Sequence, residues 1–240
     1  MSEPTNSPVN REYLETIYNL IVEGDPVVGA RLAEKFGVSA PNVAQRLAKM
    51  QEEGLILMPG RGRGRQGDGI VLTDEGRAQA ERMLRQHRLA ERFLVDVMGM
   101  DWVQAHEEAH NLERAMSPAL EAQMVGILGD PRTCPHGNPI PNPSMDTREY
   151  LREQGAIRLS VAEVGREMRV LLISEVVEDE TALLTQLGQL DIMPGAHITV
   201  LERVAGDGVR VRVVPRGEGA KEAREATLAE ELAAKTWVRG

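Results

Sequence analysis

The sequence predicts a multi-domain, mainly α-helical protein that ends in a small β-barrel, and three observations predict it. Apolar residues recur with helical spacing from Asn10 to about Leu128. Five prolines then interrupt the pattern between Pro131 and Pro143. From Val161 onward the apolar residues form short, strand-like runs instead. The chain therefore divides into a helical N-terminal part, a helical middle and a β-rich C-terminal third.

The N-terminal part is predicted to contain one helix followed by a helix-turn-helix. The predicted bounds are Asn10 to Gly24 for the first helix, Val28 to Phe36 for the second, and Ala40 or Pro41 to Glu53 for the third. Gly37 can end the second helix, and the Ser39 hydroxyl can cap the third. Two short helices joined by a tight turn are typical of a helix-turn-helix.

A segment rich in glycine and arginine follows the third helix. The apolar strands Leu55–Met58 and Ile70–Leu72 flank it, as in the hairpin of a winged helix. From Val28 to Gly67 the chain has seven basic residues and three acidic ones. This local positive charge is typical of a surface that contacts phosphates, although the whole protein is acidic.

The middle third is predicted to be helical. Thr73 can cap a long helix that reaches about Met98, and further helices are predicted near Asp101 to Met116 and Ser117 to Leu128. The prolines that follow mark a loop, and a domain boundary is expected near Asp146 to Arg158.

The C-terminal third is predicted to be a small β-barrel with two short helices. The predicted strands are Val170–Ile173, Ile198–Leu201 and Val209–Val213, and the helices lie near Glu180 to Leu190 and Leu228 to Lys235. A turn is expected at Met193-Pro194-Gly195. The charged segment Glu218–Glu231 is interpreted as a surface loop and helix.

Composition limits the function classes. A net charge of −9 argues against nucleic-acid binding over the whole surface but not against a local basic patch. The single cysteine, Cys134, cannot form an intramolecular disulfide, and the first ten residues lack the apolar run of a signal peptide. No stretch approaches the roughly 18 apolar residues of a membrane span. We therefore expect a cytoplasmic protein without a membrane function.

The segment from His106 to Glu113 predicts a metal site. At about 100° per helical residue, His106, His110 and Glu113 fall within an arc of roughly 60°. Four of the five histidines and the cysteine lie between His87 and His136. His106 to His110 also matches the H-E-x-x-H motif of zinc peptidases, with Glu107 as general base, so this alternative stays open.

Five separate segments of the chain together carry a resemblance to a known family. They are Glu12–Tyr18, Pro41–Met50, His87–Leu94, His106–Met116 and Gly137–Pro141. In order and spacing they resemble the diphtheria toxin repressor family, metal-dependent bacterial transcription regulators, over nearly the whole chain from Asn10. The resemblance implies a winged helix-turn-helix DNA-binding domain at 1–75 and a helical dimerisation and metal-binding domain at 76–145. It further implies a linker at 146–157 and an SH3-like, FeoA-like domain at 158–240.

The resemblance also implies two metal sites. The activating site matches Glu12, His110 and Glu113. The second site matches His87, Glu91 and His106, with Glu180 as a further ligand and with Cys134 and His136 from the manganese-sensing branch. The sequence departs from the family pattern at Arg114, where a histidine is usual, and at Leu183, where iron-type members carry a polar ligand. Oxygen and imidazole donors favour manganese over iron, whereas a thiolate would also suit zinc.

The third helix and the wing are expected to contact operator DNA. Ser39, Pro41, Asn42 and Gln45 match base- and backbone-contacting positions, Arg46 and Lys49 match phosphate contacts, and Arg61, Arg63 and Arg65 would reach phosphate or the minor groove. The other interpretation is that some of these residues only cap or solvate the helix. We therefore expect a homodimeric repressor of metal-uptake genes that responds to manganese or iron and is not an enzyme. A zinc peptidase and a metal-independent winged-helix regulator remain the alternatives.

Overall fold

The computed structural model describes residues 8–58, 69–142, 147–177, 179–204, 208–216 and 222–240. The chain forms two compact units, Met1–Arg85 and Gln86–Gly240. Within the described residues, no helix is both long enough and apolar enough to cross a membrane.

The first unit is the predicted helix-turn-helix with a hairpin. Its elements are α1 (Pro8–Glu23), α2 (Gly29–Phe36), α3 (Ala40–Glu52), β1 (Ile56–Leu57), β2 (Val71–Leu72) and the start of α4 (Asp74–Asp96). The two strands pair antiparallel, with Ile56 opposite Leu72. Tyr13 of α1 stacks on Phe36 of α2, with ring centroids 4.3 Å apart. Helix α3 buries Val43, Leu47 and Met50 and leaves its other face exposed.

The ends of α2 and α3 follow the turn chemistry only in part. Gly37 adopts a φ of 59°, in the left-handed region that glycine tolerates best, and ends α2. Ser39 occupies the position before α3, but its side chain makes no capping hydrogen bond, so the predicted cap is wrong. Pro41 stands at the second helical position and has no N–H, which removes one of the donors a capping hydroxyl accepts.

The helical part of the second unit contains the end of α4 followed by α5 (Trp102–Arg114) and α6 (Pro118–Leu128). Asp101 caps α5 by accepting a hydrogen bond from the Val103 amide, and Ser117 caps α6 through the Leu120 amide. Ala90, Leu94, Ala105, Ala109, Met116 and Met124 form the core between these helices. A short helix, α7 (Thr147–Glu153), lies in the segment predicted as a linker. Its length of seven residues is too short to show a helical repeat in the sequence.

The C-terminal part is a six-stranded antiparallel sheet in the order β3-β8-β4-β5-β6-β7. Its elements are β3 (Ile157–Arg158), β4 (Glu167–Ile173), α8 (Glu180–Gln189), β5 (His197–Val204), β6 (Gly208–Val214), β7 (Arg224–Leu228), α9 (Glu230–Lys235) and β8 (Thr236–Arg239). Strand β7 corrects the expected loop at Glu218–Glu231. Its five residues contain no β-branched or aromatic apolar side chain, so the sequence pattern is weak, and its pairing with β6 makes it a strand.

Candidate metal centre and DNA-reading helix

The centre of the second unit is a buried carboxylate surrounded by three imidazoles. Glu91 is 1% exposed. Its Oε1 lies 3.1 Å from His87 Nε2, 2.9 Å from His106 Nδ1 and 3.1 Å from His136 Nδ1. Its Oε2 is buried without a hydrogen-bond partner among the described residues. We call Glu91, His87, His106 and His136 the histidine cluster.

Three separate elements supply this cluster. His87 and Glu91 lie one turn apart on α4, and His106 lies on α5. The loop between α6 and α7 supplies His136. These residues meet because each helix turns its apolar face and its histidines toward the same interior.

A tight turn and two hydrogen bonds fix the His136 loop. The Gly137 amide donates to the Cys134 carbonyl, and the Ile173 amide of β4 donates to the His136 carbonyl at 2.9 Å. Asn138 Nδ2 donates back to the Ile173 carbonyl at 2.9 Å. Gly137 has a φ of 88°, and a Cβ there would lie 2.1 Å from the Leu171 carbonyl oxygen. Only glycine fits this turn.

The orientation of the His136 ring matches that of a metal ligand. His136 Nε2 lies 3.1 Å from the Trp102 carbonyl, which can only accept, so Nε2 carries the proton. Nδ1 then faces Glu91 Oε1. Histidines that bind metals usually donate their other N–H to a carbonyl or carboxylate, which orients the ring.

The charges in the cluster support one another. Burial alone would lower the pKa of His106, but the negative charge of Glu180 and the hydrogen bond to Glu91 raise it to about 9. Burial likewise opposes protonation of His87, yet Glu91 and Glu113 raise the pKa of His87 well above its ordinary value. Burial would raise the pKa of Glu91, but His136 and His87 hold it well below its usual range. The Glu91 carboxylate is therefore ionised and is stabilised by nearby positive charge.

The predicted activating-site residues of α5 connect to the cluster through His87. Glu113 Oε2 lies 2.8 Å from His87 Nδ1, and His110 Nδ1 lies 4.0 Å from Glu113 Oε1. Donor atoms of His87, His106 and His110 lie within 4.8 Å of one another, and His110 alone of the three is exposed. Glu12 is exposed on α1 of the first unit.

Cys134 and Glu180 lie at the edges of the cluster. The Cys134 sulfur is buried and 3.9 Å from His136 Nδ1. Burial, with the nearby charges of Glu91 and Glu175, raises the pKa of the Cys134 thiol well above its ordinary value. Glu180 Oε2, at the start of α8, lies 3.7 Å from His106 Nε2. Leu183 is buried in the apolar core of the sheet.

One ion pair beside the cluster was not predicted. Arg88 is 2% exposed and donates to both carboxylate oxygens of Glu175, at 2.9 and 2.7 Å, and to the Pro139 carbonyl at 2.6 Å. Burial would raise the pKa of Glu175, but the charge and hydrogen bonds of Arg88 lower it. No spacing rule connects residues so far apart in sequence, although Arg88 lies in the segment His87–Leu94 that carries the family resemblance.

The donor set fits a divalent ion. Donor atoms of Glu91, His106 and His136 approach within 4.8 Å, and Glu91 Oε2 lacks a partner among the described residues. A buried carboxylate oxygen without a partner is costly and is commonly satisfied by a cation. Glu107, the general base that a peptidase would need, is exposed on α5. The arrangement favours ion binding over hydrolysis.

The helix α3 separates its core residues from its polar ones. Val43, Leu47 and Met50 are buried, whereas Ser39, Pro41, Asn42, Gln45 and Lys49 are exposed. Arg46 is half-buried and donates to Asn10 Oδ1 at 3.1 Å. Lys49 lies 3.7 Å from Glu53. The predicted wing contacts Arg61, Arg63 and Arg65 lie outside the described residues.

A helix-turn-helix unit joined to a unit with a buried cluster of histidines and carboxylates defines a class of protein, the DNA-binding regulator with its own metal site. Family models agree. The iron dependent repressor N-terminal DNA binding domain matches residues 7–62, and the iron dependent repressor metal binding and dimerisation domain matches 73–142. The FeoA domain matches 157–240.

Individual relatives extend over most of the chain. The iron-dependent repressor IdeR of Mycobacterium tuberculosis is 36% identical over 211 residues, which cover 86% of this chain and 88% of that protein. The diphtheria toxin repressor of Corynebacterium diphtheriae is 34% identical over 196 residues, covering 80% and 83%. A solved manganese-dependent transcriptional repressor in complex with manganese superposes with a TM-score of 0.72 at 29% identity, covering 95% of this chain and 98% of the other.

The chain belongs to the diphtheria toxin repressor family of metal-dependent transcriptional repressors. The predicted family and the predicted mainly helical, multi-domain fold are confirmed.

Proposed function

We propose that this protein is a homodimeric repressor of metal-uptake genes that responds to manganese or ferrous iron and is not an enzyme. The observation that carries the proposal is the buried histidine cluster, whose central carboxylate has one unpartnered oxygen. Relatives named for iron and for manganese support the same function. Because its proposed partner is operator DNA, we expect it to act in the cytoplasm.

We assign two groups of metal ligands. Glu91, His106 and His136 form one, to which His87, Cys134 and Glu180 add neighbouring donors. His110 and Glu113 of α5, with Glu12 of α1, form the activating group. A divalent ion held by these residues would give Glu91 Oε2 the partner that it lacks among the described residues. Carboxylate and imidazole donors favour manganese, ferrous iron is the second choice, and the Cys134 sulfur would also accept zinc.

The first unit carries the proposed DNA contacts. The exposed residues Ser39, Pro41, Asn42 and Gln45 would meet bases and backbone, and Arg46, Lys49 and the wing arginines would meet phosphates. Arg46 must leave its bond to Asn10 to do so, which makes it the weakest of these assignments.

Two exposed apolar side chains support a homodimer. Met98 and Ile127, in the segment that matches the dimerisation domain, are 64% and 61% exposed. Exposed apolar residues in a segment that matches a dimerisation domain are candidates for the contact between two copies. Two copies would set the distance between two α3 helices, as helix-turn-helix dimers require for a two-fold operator.

The coupling between metal and DNA follows from ligand placement. Glu12 belongs to the DNA-binding unit, whereas His110 and Glu113 belong to the second unit. An activating group that needs all three favours the arrangement of the two units that brings them together. Higher metal affinity for that arrangement shifts the population toward the DNA-binding state.

The first experiment measures binding of the full chain to DNA from upstream of metal-transporter genes. Manganese, ferrous iron and zinc are titrated separately against a chelator-treated control, and light scattering reports the oligomeric state. We expect binding only with metal, with manganese the most effective. Equal binding with chelator would make the protein a metal-independent regulator, and the proposal would be wrong.

A pair of variants on α5 sharpens this test. Glu113→Ala should abolish metal-dependent operator binding while the protein stays folded and dimeric. Glu107→Ala, the exposed matched control, should leave it unchanged. The peptidase alternative makes the opposite prediction, namely that Glu107→Ala removes a hydrolytic activity without changing DNA affinity.

A further inference from the structure

The C-terminal sheet borders a cavity whose charged lining residues are all arginines. The cavity has a volume of about 290 Å³, and its charged lining residues are Arg92, Arg169, Arg216 and Arg239. The remaining lining residues are neutral, and no carboxylate of the described residues contributes to it. They are Thr133, Cys134, Pro135, Gly137, Tyr150, Val170, Leu171, Pro194 and Gly195. We call this space, with its four arginines, the arginine cavity. Such a concentration of positive charge is unexpected in a protein with a net charge of −9.

The sheet register places two of these arginines directly opposite each other. Arg169 of β4 pairs with Arg239 of β8, and on its other side Arg169 pairs with His197 of β5. Like charges at opposed positions of an antiparallel pair destabilise the sheet. His197 has Glu167 as a partner at 3.2 Å, but Arg169 and Arg239 form no ion pair among the described residues.

The contacts of these guanidinium groups are with neutral oxygen atoms. Arg169 Nε donates to the Gly195 carbonyl at 3.3 Å, and Arg239 donates to the side-chain oxygen of Gln154. Arg216 donates to the Pro194 carbonyl at 3.2 Å. Each guanidinium has five N–H donors, so most of them stay available.

Arg169 and Arg216 converge over one glycine. A Cβ at Gly195 would lie 3.5 Å from a terminal nitrogen of Arg169 and 3.7 Å from Arg216 Cδ. Arg92 also lines the cavity, where it donates to the carbonyls of Thr133 and Cys134 and lies 3.4 Å from Asp96. Arg92 is thus partly neutralised, whereas the other three arginines form no ion pair with the residues that the structure describes. Two carboxylates, those of Glu153 and Glu167, line the adjoining pocket that Arg169 and Arg239 share.

We infer that the arginine cavity binds a small anion that carries phosphate groups. Guanidinium groups bind phosphate oxygens in pairs and match their geometry better than lysine does. A bound phosphate would place negative charge between Arg169 and Arg239 and so relieve their repulsion. The volume suits a free phosphate, a pyrophosphate or the phosphate end of a nucleotide. This inference does not depend on the metal ligands proposed above.

Calorimetric titration of metal-free full-length protein tests the inference. Metal-free protein is used because pyrophosphate chelates divalent ions. Inorganic phosphate, pyrophosphate and ADP are the probes, with sulfate at equal ionic strength as the reference anion. We expect at least one phosphate probe to bind more tightly than sulfate, and the tightest probe identifies the source of the phosphate.

Substitutions in the cavity supply the control. Arg169→Gln and Arg216→Gln should each weaken binding of the best probe about tenfold, the loss of one charged hydrogen bond. Arg212→Gln removes the same charge from an exposed residue of β6 that pairs with Glu225, outside the cavity, and should leave binding unchanged. Equal weakening by all three variants would show only a general charge effect and would overturn the site.

Thermal unfolding gives a second, independent readout. In phosphate-free buffer Arg169→Gln should not lower the Tm, because it removes one member of a repelling pair. The best probe should raise the Tm of the wild type more than that of the variant at equal concentration, because the variant binds it about tenfold more weakly. The inference is wrong if no probe binds better than sulfate, and also if the variants instead weaken operator binding and reduce its salt dependence. The latter result would make these arginines a DNA contact.

Discussion

The helices α3 and α5 are each 13 residues long, yet they use their buried faces differently. Helix α3 buries only apolar residues, Val43, Leu47 and Met50, and exposes the residues proposed to contact DNA. Helix α5 buries His106 and Glu113 together with its apolar residues. Folding and function therefore depend on separate residues in α3 and on shared residues in α5. Substitutions on α3 should therefore change one property and leave the other. Substitutions at the buried polar residues of α5 should weaken metal binding and lower the free energy of unfolding together, even where the protein still folds.

The largest expected effect is on the core face of α3. Leu47 is 4% exposed, and Leu47→Ala should lower the free energy of unfolding of the first unit by about 2–5 kcal/mol. Urea unfolding followed by circular dichroism measures this loss. Metal affinity, measured by calorimetry on folded protein, should stay unchanged. A loss of metal affinity here would break the comparison, because it would make α3 a shared helix as well.

A substitution in the histidine cluster should change both properties at once. Glu91→Gln keeps the size of the side chain but removes the charge that three imidazoles face. Metal affinity should fall by at least about 10- to 100-fold, the loss typical even for residues that only orient a ligand. The metal-free protein should also lose about 1–3 kcal/mol of stability. Glu107→Gln is the exposed control, and unchanged metal affinity in Glu91→Gln would contradict the assignment.

On the exposed face of α3, only DNA binding should change. Gln45→Ala should weaken operator binding by about 1–3 kcal/mol if the amide pairs with a base. The free energy of unfolding should stay within about 0.5 kcal/mol of the wild type, as for other surface substitutions. A set of operators with single base changes measures whether specificity relaxes at one position. If stability fell together with affinity, α3 would resemble α5.

The smallest effect is expected at Lys49. Lys49→Ala should weaken binding to all DNA sequences alike and reduce the slope of log affinity against log salt by about one. Its exposed pair with Glu53 contributes little to stability. Arg152→Ala, which removes an exposed charge in the second unit, is the control and should leave the slope unchanged. An unaltered slope in Lys49→Ala would remove Lys49 from the phosphate contacts.

Local sequence patterns are enough to predict most of the helices and part of the candidate metal site. Helical spacing locates α1 to α6 within a few residues of their ends, and the spacing of His87 from Glu91 and of His106 from His110 places each pair one turn apart on its helix. The sequence pattern does not predict strand β7 or helix α7, because each is short and has few apolar residues. Periodicity is weak in such segments.

Other features depend on long-range pairing that a single sequence does not reveal. Glu175 meets Arg88 only because the chain after β4 passes beside α4. Arg169 meets Arg239 only because β8 returns to pair with β4. Local sequence rules describe neighbours along the chain, whereas both contacts join distant segments through the topology of the fold.

The turn at Gly137 makes the modules of this protein difficult to exchange. His136 belongs to a loop of the metal-binding region, yet hydrogen bonds to Ile173 hold its backbone and the strand leaves no room for a side chain at Gly137. A chimera that receives its FeoA domain from a relative would keep the four histidines of the helical region and its loop. It would replace the strand that holds the backbone of His136. A functional chimera would therefore have to exchange the loop around His136 together with the FeoA domain, and its junction would lie before residue 157.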